Sequence, residues 1–336
     1  MEGERTESEF IDDGTLERLS LKWSARCRVR EEWEATQVPP TLESDSRDPK
    51  LRLAMITWNH NGQDVSRAVK TLLEPLLDCD LICVASVECG SSSGVLFPRP
   101  TIEWEQTVQE YIRPSHDLLA VSSLNAISLL VARRRGNAFC DLEIVAGKAL
   151  HIRTGVANIV GNKGAVLIPI FAGNATFVVG SLHLCAHEGC AKKRAADLQH
   201  ISNKLNETFE WDVIIMAGDF NFRLEMPVVD VLRSIHLGDL DSLLEHDEFR
   251  RGVTSLRSGL NEWFEIGSIR FRPTYKLRYR DGSMLYKDQR VPSYTDRILL
   301  RSKIPWRFKT VIYGSHEVPL GSDHKPVFGI MNISVF

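Results

Sequence analysis

Two polar residues with a fixed spacing follow the apolar run DVIIMAG and are suited to hydrolysis. Asp219 and Asn221 are two residues apart, so on an extended segment both side chains lie on one face. A carboxylate and an amide that point the same way can hold an attacking water and a phosphoryl oxygen. Because a lone Asp-x-Asn is a turn in most proteins, this pair gains meaning only from the residues that accompany it.

Oxygen ligands for a metal end two other apolar runs. Asn59 ends LRLAMITWN and Glu88 ends DLICVASVE. Mg²⁺ prefers one or two carboxylate or amide oxygens and keeps several of its waters, whereas the sequence has no cage of four carboxylates that would suggest calcium. The two residues therefore favour a magnesium site, although either one alone would also suit a strand-end cap.

Histidine and aspartate residues stand beside three more apolar runs. His183 lies in ATFVVGSLHL, Asp296 precedes ILL, and Asp323-His324 precede PVFGIM. A histidine that is held by a carboxylate becomes a positioned, charged donor to a phosphoryl oxygen, and Asp296 is the candidate carboxylate for His324. Because catalytic groups commonly lie at strand ends and in the loops that follow, we expect all these side chains to converge on one site.

Basic residues form local groups instead of one continuous patch. Phosphates on a small ring need point charges and guanidinium forks from several directions. Lys163 is the most specific candidate, because the glycines around it in GNKGAV let backbone amides approach an anion while the lysine reaches over it. A basic run is otherwise most often a solvated face. The other candidates are Lys192, Lys193, Arg194, Lys276 in RFRPTYKLRYR, Arg290 and Arg297.

The segment HLCAHEGC offers a different metal hypothesis. It contains His183, Cys185, His187 and Cys190, all of residue types that bind zinc. Their spacing is not that of the usual zinc fingers, and no second Cys/His pair of matching spacing occurs elsewhere. The odd number of cysteines, seven, at irregular spacing indicates reduced thiols instead of a disulfide framework. Structural zinc is therefore the less favoured alternative.

Composition excludes several classes of protein. The 336 residues are 43% hydrophobic and 25% charged, which is ordinary for a globular protein and excludes collagen, coiled-coil and low-complexity chains. The formal net charge is -3, so an anionic substrate needs a local basic site. No apolar stretch approaches the roughly 18 residues of a membrane span. The acidic start MEGERTESEF is unlike a secretory signal, and we expect a cytoplasmic protein.

The elements that must position these residues alternate between strands and helices. Eight short apolar runs predict strands, and three segments with apolar residues at helical spacing predict helices. We expect an α+β (mixed α/β) fold, a four-layered α/β/β/α sandwich of two packed, mostly antiparallel sheets flanked by helices. The runs are LRLAMITWN, DLICVASVE, AISLLVARR, GAVLIPIFAG, ATFVVGSLHL, DVIIMAGDF, DRILLRS and PVFGIMNISVF, and the helical segments are VSRAVKTLLEPLL, WEQTVQEYI and CAKKRAADLQHISNKLNETFE.

Two regions are expected along the chain. Residues 1–50 combine an acidic start, a helix predicted over 15–35, the Pro39-Pro40 break and the polar stretch ESDSRDPK, which together indicate an extension and a linker. Residues 51–336 contain no internal repeat and no Gly/Ser/Pro linker. They are therefore expected to form one catalytic domain.

Eight motifs in order resemble those of the inositol polyphosphate 5-phosphatase family, a branch of the deoxyribonuclease I, exonuclease III and sphingomyelinase superfamily. The resemblance runs from about residue 51 to residue 336. GDFNFR and PSYTDRIL are similar to the most diagnostic stretches of the family, and PTYK and GNKG to the parts that separate it from its nuclease relatives. The motifs are TWNHNG, SVECG, RTGVANIVGNKGAV, GSLHLCAH, MAGDFNFR, FRPTYK, RVPSYTDRIL and GSDHKPV.

The resemblance implies an activity and a set of catalytic residues. The activity is Mg²⁺-dependent removal of the 5-phosphate, by in-line attack of an activated water, from inositol 1,4,5-trisphosphate or from phosphatidylinositol 4,5-bisphosphate or 3,4,5-trisphosphate. The implied catalytic roles are Asn59 and Glu88 at Mg²⁺, Asp219 activating the water, Asn221 orienting it and the phosphate, His183 and His324 at the scissile phosphate, Asp296 orienting His324, and Asp323 near the metal.

The resemblance also implies contacts to the other phosphates of the substrate. Tyr275 and Lys276 are favoured for the 4-phosphate. The full set of implied substrate contacts is Lys163, Arg194, Tyr275, Lys276, Arg290 and Arg297.

Three places depart from the family pattern. Val87 stands where the family usually has Gln, and Tyr294-Thr295 where it usually has Trp-Cys. None of these positions carries the chemistry. Asp288 stands where many members have a lysine that helps to hold the 4-phosphate, so the resemblance leaves the substrate preference open.

Several alternatives stay open at this point. A nuclease or sphingomyelinase on the same fold is disfavoured by the net charge and by the PTYK and GNKG segments. A catalytically silent phosphoinositide-binding module is disfavoured because every core catalytic position is occupied. The ANIV and GVLFP segments would suit either an apolar rim that touches a bilayer or packed loops. We expect a monomer that binds an inositol phosphate or phosphoinositide, and no nucleic acid.

Overall fold

The computed structural model describes residues 50–89, 102–136, 144–155, 163–173, 175–253, 260, 262–280, 283–287, 289–303 and 308–334. The helix predicted over 15–35, the ANIV and GVLFP segments and Asp288 lie outside the described residues. Within them, the eight predicted strands and three predicted helices are all observed. Their ends agree with the prediction to within two residues, except that the first predicted helix, VSRAVKTLLEPLL, is α-helical only over residues 69–73, with a 3₁₀ turn on each side.

Fifteen strands and several helices make up the described part of the chain. The strands are β1 (Lys50–Asn59), β2 (Leu81–Val87), β3 (His116–Leu124), β4 (Ile127–Arg134), β5 (Ile144–Ala146), β6 (Leu150–Arg153), β7 (Gly164–Ala172), β8 (Ala175–His183), β9 (Val213–Asp219), β10 (Phe264–Glu265), β11 (Leu277–Arg280), β12 (Ser283–Tyr286), β13 (Asp296–Ser302), β14 (Phe308–Ser315) and β15 (Val327–Ser334). The helices are α1 (Val69–Leu73, flanked by 3₁₀ turns at Ser66–Ala68 and Glu74–Leu76), α2 (Ile102–Ile112), α3 (Ala191–Thr208), α4 (Val228–Leu237), α5 (Leu240–Glu245) and α6 (Glu248–Val253).

Thirteen of these strands form two large sheets, and β11 and β12 form a separate two-stranded sheet. The first sheet has six strands in the order β14-β15-β1-β2-β4-β3. The second has seven, in the order β10-β13-β9-β8-β7-β5, with β6 also paired to β7. In these sheets β1–β2 and β8–β9 are parallel pairs, and the other described pairs are antiparallel. The prediction of two mostly antiparallel sheets is confirmed.

The central strands are buried on both faces, which explains their uninterrupted apolar sequences. In β2, Cys83 faces the core between the sheets, while Ile82 packs with Leu72 and Trp104 from the helices outside the first sheet. In β9, alternate residues likewise face the inter-sheet core or the apolar face of α3. The layers are therefore helix, sheet, sheet and helix, as the apolar runs predicted.

The two parallel pairs bring the carboxyl ends of four strands to the same end of the sandwich. A parallel connection needs a crossover, and the crossovers contain α1 between β1 and β2 and α3 between β8 and β9. The ends of β8 and β9 are directly paired, His183 opposite Asp219. The end of β1, Asn59, lies opposite Val87, the residue before Glu88. The parallel pairs thus place the predicted chemistry at one end of both sheets.

Several elements were absent from the prediction because their sequences lack a strong apolar period. Between its two buried end residues, strand β3 has only partly exposed and exposed positions, and β10, β11 and β12 have four residues or fewer. Helix α4 does carry a local signal: it begins after Pro227 and ends at Gly238, whose φ of 74° suits glycine. Within the described part of the chain, no helix has the length and apolar character that crossing a membrane would require.

Candidate active site

Asp219 lies at the centre of the site and is almost completely buried. Its Oδ2 accepts a hydrogen bond of 2.9 Å from Asn59 Nδ2, and its Oδ1 accepts one of 2.9 Å from the backbone N–H of Asn221. The His183 Nε2 is 3.5 Å from Asp219 Oδ2. A single carboxylate therefore joins the end of the first sheet to two strand ends of the second.

The pKa of Asp219 is raised to about 6. Burial is the main cause, and the negative charge of Asp296 adds to it, while His324 and Lys163 act in the opposite direction. A base is most effective when its pKa lies near the working pH. Asp219 is therefore an ionised carboxylate at neutral pH that can still accept a proton.

Asn221 is held in the left-handed region of backbone conformation, with a φ of 57°, which Asn tolerates better than most residues. Its Nδ2 donates to the carbonyl of Leu184 at 3.3 Å, and its Oδ1 accepts from the Arg223 guanidinium. The amide is thus fixed at both ends. Asp219 and Asn221 lie together as predicted, although a turn and not an extended segment brings them there.

Asp296 and His324 form the predicted pair. His324 Nδ1 is 2.9 Å from Asp296 Oδ2, and the same oxygen accepts hydrogen bonds from Thr274 Oγ1 at 2.7 Å and Thr295 Oγ1 at 2.9 Å. Burial lowers the pKa of His324, but the Asp296 carboxylate outweighs it, with smaller contributions from Asp219 and Asp323, and the pKa rises to about 9. His324 is therefore a cation at neutral pH.

Hydrogen bonds from β1 hold the His324 segment in place. Trp58 Nε1 donates to the carbonyl of His324 at 2.9 Å. Ser322 Oγ donates to the carbonyl of Asn59 at 2.6 Å and accepts from the backbone N–H of His324 at 3.1 Å. Ser322 thus links Asn59, the metal-ligand candidate on β1, to His324 before β15.

Glu88 and Lys163 lie on the more open side of His183. Glu88 follows β2 with a φ of 51°, its side chain is 41% exposed, and its Oε1 is 3.5 Å from His183 Nε2. The Lys163 ammonium also contacts His183 Nε2. Burial, together with the charges of Lys163 and His324, holds the pKa of His183 well below its ordinary value. His183 is therefore neutral, in contrast to His324.

Tyr275 and Lys276 border the His324 side of the site. The Tyr275 ring centroid is 4.5 Å from that of His324, and the Arg223 guanidinium lies 4.8 Å from the Tyr275 centroid. Lys276 Nζ is 3.1 Å from Asp323 Oδ2. Burial lowers the pKa of Lys276, but its contact with Asp323 outweighs this and raises it. These residues give the site a cationic and aromatic wall.

The oxygen atoms of the site suit a hard divalent cation. The Glu88 carboxylate is half-exposed and accepts no hydrogen bond from a described residue, and Asp323 Oδ1 is buried without a hydrogen-bond partner. Asp219, Asp296 and His324 also have ligand atoms within 4.8 Å of one another. His324 is a poor metal ligand in this trio, because it is protonated and bonded to Asp296. Glu88 and Asn59, with Asp219 beside them, are therefore the better oxygen ligands.

Asn59, Glu88, His183, Asp219, Asn221, Asp296 and His324 lie together and are called the cluster here. Arg194 does not face the cluster, contrary to the prediction that it contacts substrate. Its side chain is 1% exposed, and its guanidinium forms two hydrogen bonds with Glu248, of 2.9 Å and 2.5 Å. Its remaining nitrogen donates to the carbonyls of Cys185 and His187. All of its nitrogens are therefore used inside the protein.

Arg297 has a similar internal role, and the prediction of a substrate contact is corrected in the same way. It is fully buried and paired with Asp247 and Glu265, and its Nε donates to the carbonyl of Tyr294 at 2.7 Å.

Arg290, the remaining basic candidate, is exposed, and its Nη1 lies 4.0 Å from a carboxylate oxygen of Glu188. Of the six predicted substrate contacts, Lys163, Tyr275 and Lys276 therefore adjoin the cluster.

The HLCAHEGC segment is divided between two roles. His183 belongs to the cluster, whereas Cys185 and Cys190 are partly buried free thiols. The residues that sequence reasoning missed are Arg223, Thr274 and Ser322. Each stands inside a motif that was recognised, namely GDFNFR, FRPTYK and GSDHKPV. The motifs therefore marked the right segments, but the role of each residue became visible only from its contacts in the structure.

A model of the endonuclease/exonuclease/phosphatase family 2 matches residues 56–330. The chain belongs to this family. Among curated members, the type II inositol 1,4,5-trisphosphate 5-phosphatase of Mus musculus is 29% identical over 306 residues, which cover 85% of this chain and 30% of that protein. The phosphatidylinositol polyphosphate 5-phosphatase type IV of Homo sapiens is 28% identical over 315 residues, covering 86% and 47%. The chain thus spans less than half the length of these relatives.

Solved structures show the family fold with different ligands. The 5-phosphatase domain of SPsynaptojanin, in complex with inositol (1,4)-bisphosphate and calcium ion, has a TM-score of 0.71 at 23% identity and covers 96% of this chain and 91% of that chain. The Cimex nitrophorin ferrous NO complex has a TM-score of 0.68 at 18% identity and covers 85% and 99%. Because one fold serves such different ligands, function must be argued from the site.

Proposed function

We propose that this family member is a Mg²⁺-dependent phosphomonoester hydrolase that removes the 5-phosphate from inositol phosphates or phosphoinositides. The observation that carries the proposal is that two buried groups share one site beside Tyr275 and Lys276: Asp219, a carboxylate with a raised pKa, and His324, a cation paired with Asp296. The names of the mouse and human relatives, both 5-phosphatases of inositol compounds, support the choice of substrate class.

Asp219 is the residue that activates the water in this proposal. It lies between Asn59 and the backbone of Asn221, and its raised pKa lets it take the proton from water as the nucleophile forms. The fixed amide of Asn221 orients the water and one phosphoryl oxygen. Direct attack of water needs no covalent enzyme intermediate, so positioning and charge stabilisation supply most of the rate.

The two histidines contribute differently to binding the scissile phosphate. His324 is charged and held by Asp296, so its Nε2 donates to a phosphoryl oxygen and stabilises the charge that develops in the transition state. His183 is neutral, and it contacts the phosphate by hydrogen bonding alone. Lys163 supplies the positive charge beside it.

Mg²⁺ held by Glu88 and Asn59 would neutralise the phosphoryl oxygens and the leaving alkoxide. The half-exposed Glu88 carboxylate and the unpartnered Asp323 Oδ1 support a hard cation here. Tyr275 and Lys276 would then hold the neighbouring 4-phosphate.

The test is phosphate release, with and without Mg²⁺, from soluble inositol 1,4,5-trisphosphate and from micellar phosphatidylinositol 4,5-bisphosphate and 3,4,5-trisphosphate. Asp219→Asn should lower the rate by on the order of 10²-fold or more and leave the fold intact. The matched control is Arg233→Gln on α4, whose ion pair with Asp230 is exposed.

Each outcome separates the alternatives. Release from the micelles alone would indicate an enzyme that acts at a lipid surface, and release from the soluble trisphosphate as well would indicate both substrate classes. Binding of all three without release would favour the silent binding module. Near-normal release by folded Asp219→Asn would remove Asp219 from the role of base.

A further inference from the structure

Arg194 and Glu248 connect two loops that each follow a catalytic strand. Arg194, at the start of α3, donates from Nη1 to the carbonyls of Cys185 and His187, in the loop after His183. Its Nε and Nη2 donate to Glu248 Oε1 and Oε2, at the start of α6. The guanidinium therefore fixes the loop after β8 to α6.

Glu248 is in turn bonded to the loop after β9. Its Oε2 accepts from the backbone N–H of Arg223 at 3.2 Å, and its own backbone N–H donates to the carbonyl of Arg223 at 2.9 Å. The Arg223 guanidinium donates to Asn221 Oδ1. A path of hydrogen bonds therefore leads from Arg194 to Glu248 and on to the backbone of Arg223. The side chain of Arg223 completes the path to the Asn221 amide, which orients the water in the proposed function.

The path needs a carboxylate at position 248. Both oxygens of Glu248 are acceptors, Oε1 for Arg194 Nε and Oε2 for Arg194 Nη2 and the Arg223 N–H. A glutamine has one carbonyl oxygen, and its NH₂ group would face a donor. The substitution Glu248→Gln keeps the size of the side chain and loses at least one of these bonds.

The loop that Glu248 holds is one that needs support. Asn221 has a φ of 57°, a conformation that persists when the surrounding contacts fix it. Its side chain also bridges to the carbonyl of Leu184 in the other loop. The Arg194–Glu248 pair fixes the same two loops from the buried side, 1% and 9% exposed.

We propose that Glu248 is a positioning residue for the hydrolysis, acting through Arg194 and the backbone of Arg223 to fix the Asn221 amide. The inference rests on the proposed function, because its kinetic effect is a loss of that activity. A small displacement of a positioned group can lower a rate by as much as about 10²-fold. We expect Glu248→Gln to lower kcat by on the order of 10-fold and to leave KM within about twofold.

The experiment compares three variants of the full chain by kinetics, thermal unfolding and amide hydrogen exchange. Glu248→Gln and Arg194→Lys should each lower kcat and increase exchange in residues 220–224. Ile112→Ala removes a buried side chain of α2 from the core cluster outside the first sheet, whereas Leu184, Phe220 and Phe222 of the two loops belong to the core cluster on the second sheet. This variant should lower Tm at least as much without changing kcat or exchange in 220–224. If Glu248→Gln does not fold, Arg194→Lys tests the same path.

The two measurements separate the inference from the proposed function. An inactive wild-type protein would overturn the proposed function, and the exchange rates of 220–224 would still decide whether Glu248 fixes the loop. Unchanged exchange in 220–224, or an unchanged kcat in an active protein, would overturn the positioning role. A loss of kcat in Ile112→Ala equal to that in Glu248→Gln would show an effect of stability alone and would also overturn it.

Discussion

Asp296 and Arg297 are consecutive residues of β13, both fully buried and both charged, yet they have different roles. Asp296 is paired with His324, whose Nε2 forms no hydrogen bond with a described residue and lies 4.0 Å from Asp323 Oδ1. Arg297 donates from all three of its side-chain nitrogens, to Tyr294, Glu265 and Asp247. The Asp296–His324 pair therefore leaves the charged His324 Nε2–H free to donate to a ligand, whereas the ion pairs of Arg297 leave no donor nitrogen unused.

The comparison shows that burial and ion pairing do not identify a catalytic residue. Successive side chains of a strand point to opposite faces, so neighbours in sequence enter different surroundings. A buried charge must be paired whether it serves catalysis or structure. The useful criterion is whether the partner keeps an unused donor or acceptor that faces the site.

Asp296→Asn should have the largest effect on activity. Without the carboxylate, His324 loses the partner that keeps it charged and oriented, and kcat should fall by on the order of 10²- to 10³-fold. Steady-state kinetics with a circular dichroism spectrum of the folded variant measure this. A loss below about threefold would remove the distinction between Asp296 and Arg297.

Arg297→Met should affect stability instead of catalysis. Removing one partner of a buried ion pair leaves Asp247 and Glu265 uncompensated, which costs about 3–5 kcal/mol. Urea unfolding should show this decrease in the free energy of unfolding, with kcat per folded molecule nearly unchanged. A large fall in activity at an unchanged urea midpoint would restore Arg297 as a substrate contact.

The pH dependence should report the charge on His324. Its pKa is about 9, above the ordinary value of 6.5, so kcat/KM should fall as the pH rises through about 9 and the cation is lost. The His324–Asp296 pair also stabilises the fold. Its contribution to the free energy of unfolding is fully present below pH 6.5 and is lost as the pH rises through about 9. Asp296→Asn should move the alkaline limb of the rate profile to lower pH. An unmoved limb would assign it to another group.

Lys276→Met should have the smallest effect of the four. Lys276 is partly exposed beside Asp323, so it can bind a phosphate without being essential to the fold. Loss of one charged hydrogen bond should raise KM by on the order of 10-fold for substrates with a 4-phosphate, with kcat little changed. An inositol phosphate that lacks the 4-phosphate is the control, and an equal rise in its KM would argue against the assignment.

The sequence predicted the layers and the convergence of the polar side chains because both depend on local patterns. Apolar runs marked the central strands. Asn59, His183 and Asp219 are the last residues of three of them, and His324 shortly precedes a fourth. Arg194 was assigned to substrate because a motif gives the type of a residue but not its partner. Glu248, which binds it, is 54 residues away in a short helix without a strong apolar period, so no local pattern could show that the guanidinium was occupied.

In the first sheet, the last described strand, β15, lies between β14 and the first described strand, β1. The contacts that complete the site join residues far apart in sequence, 160 positions for Asn59 with Asp219 and 266 for Trp58 with His324. Contacts with such separations form slowly, because the chain entropy of closing them is lost before the contacts stabilise the fold. The catalytic geometry therefore needs the closure of much longer loops than local hairpins such as β3–β4 and β7–β8 need, and we expect activity to return later in refolding than these hairpins.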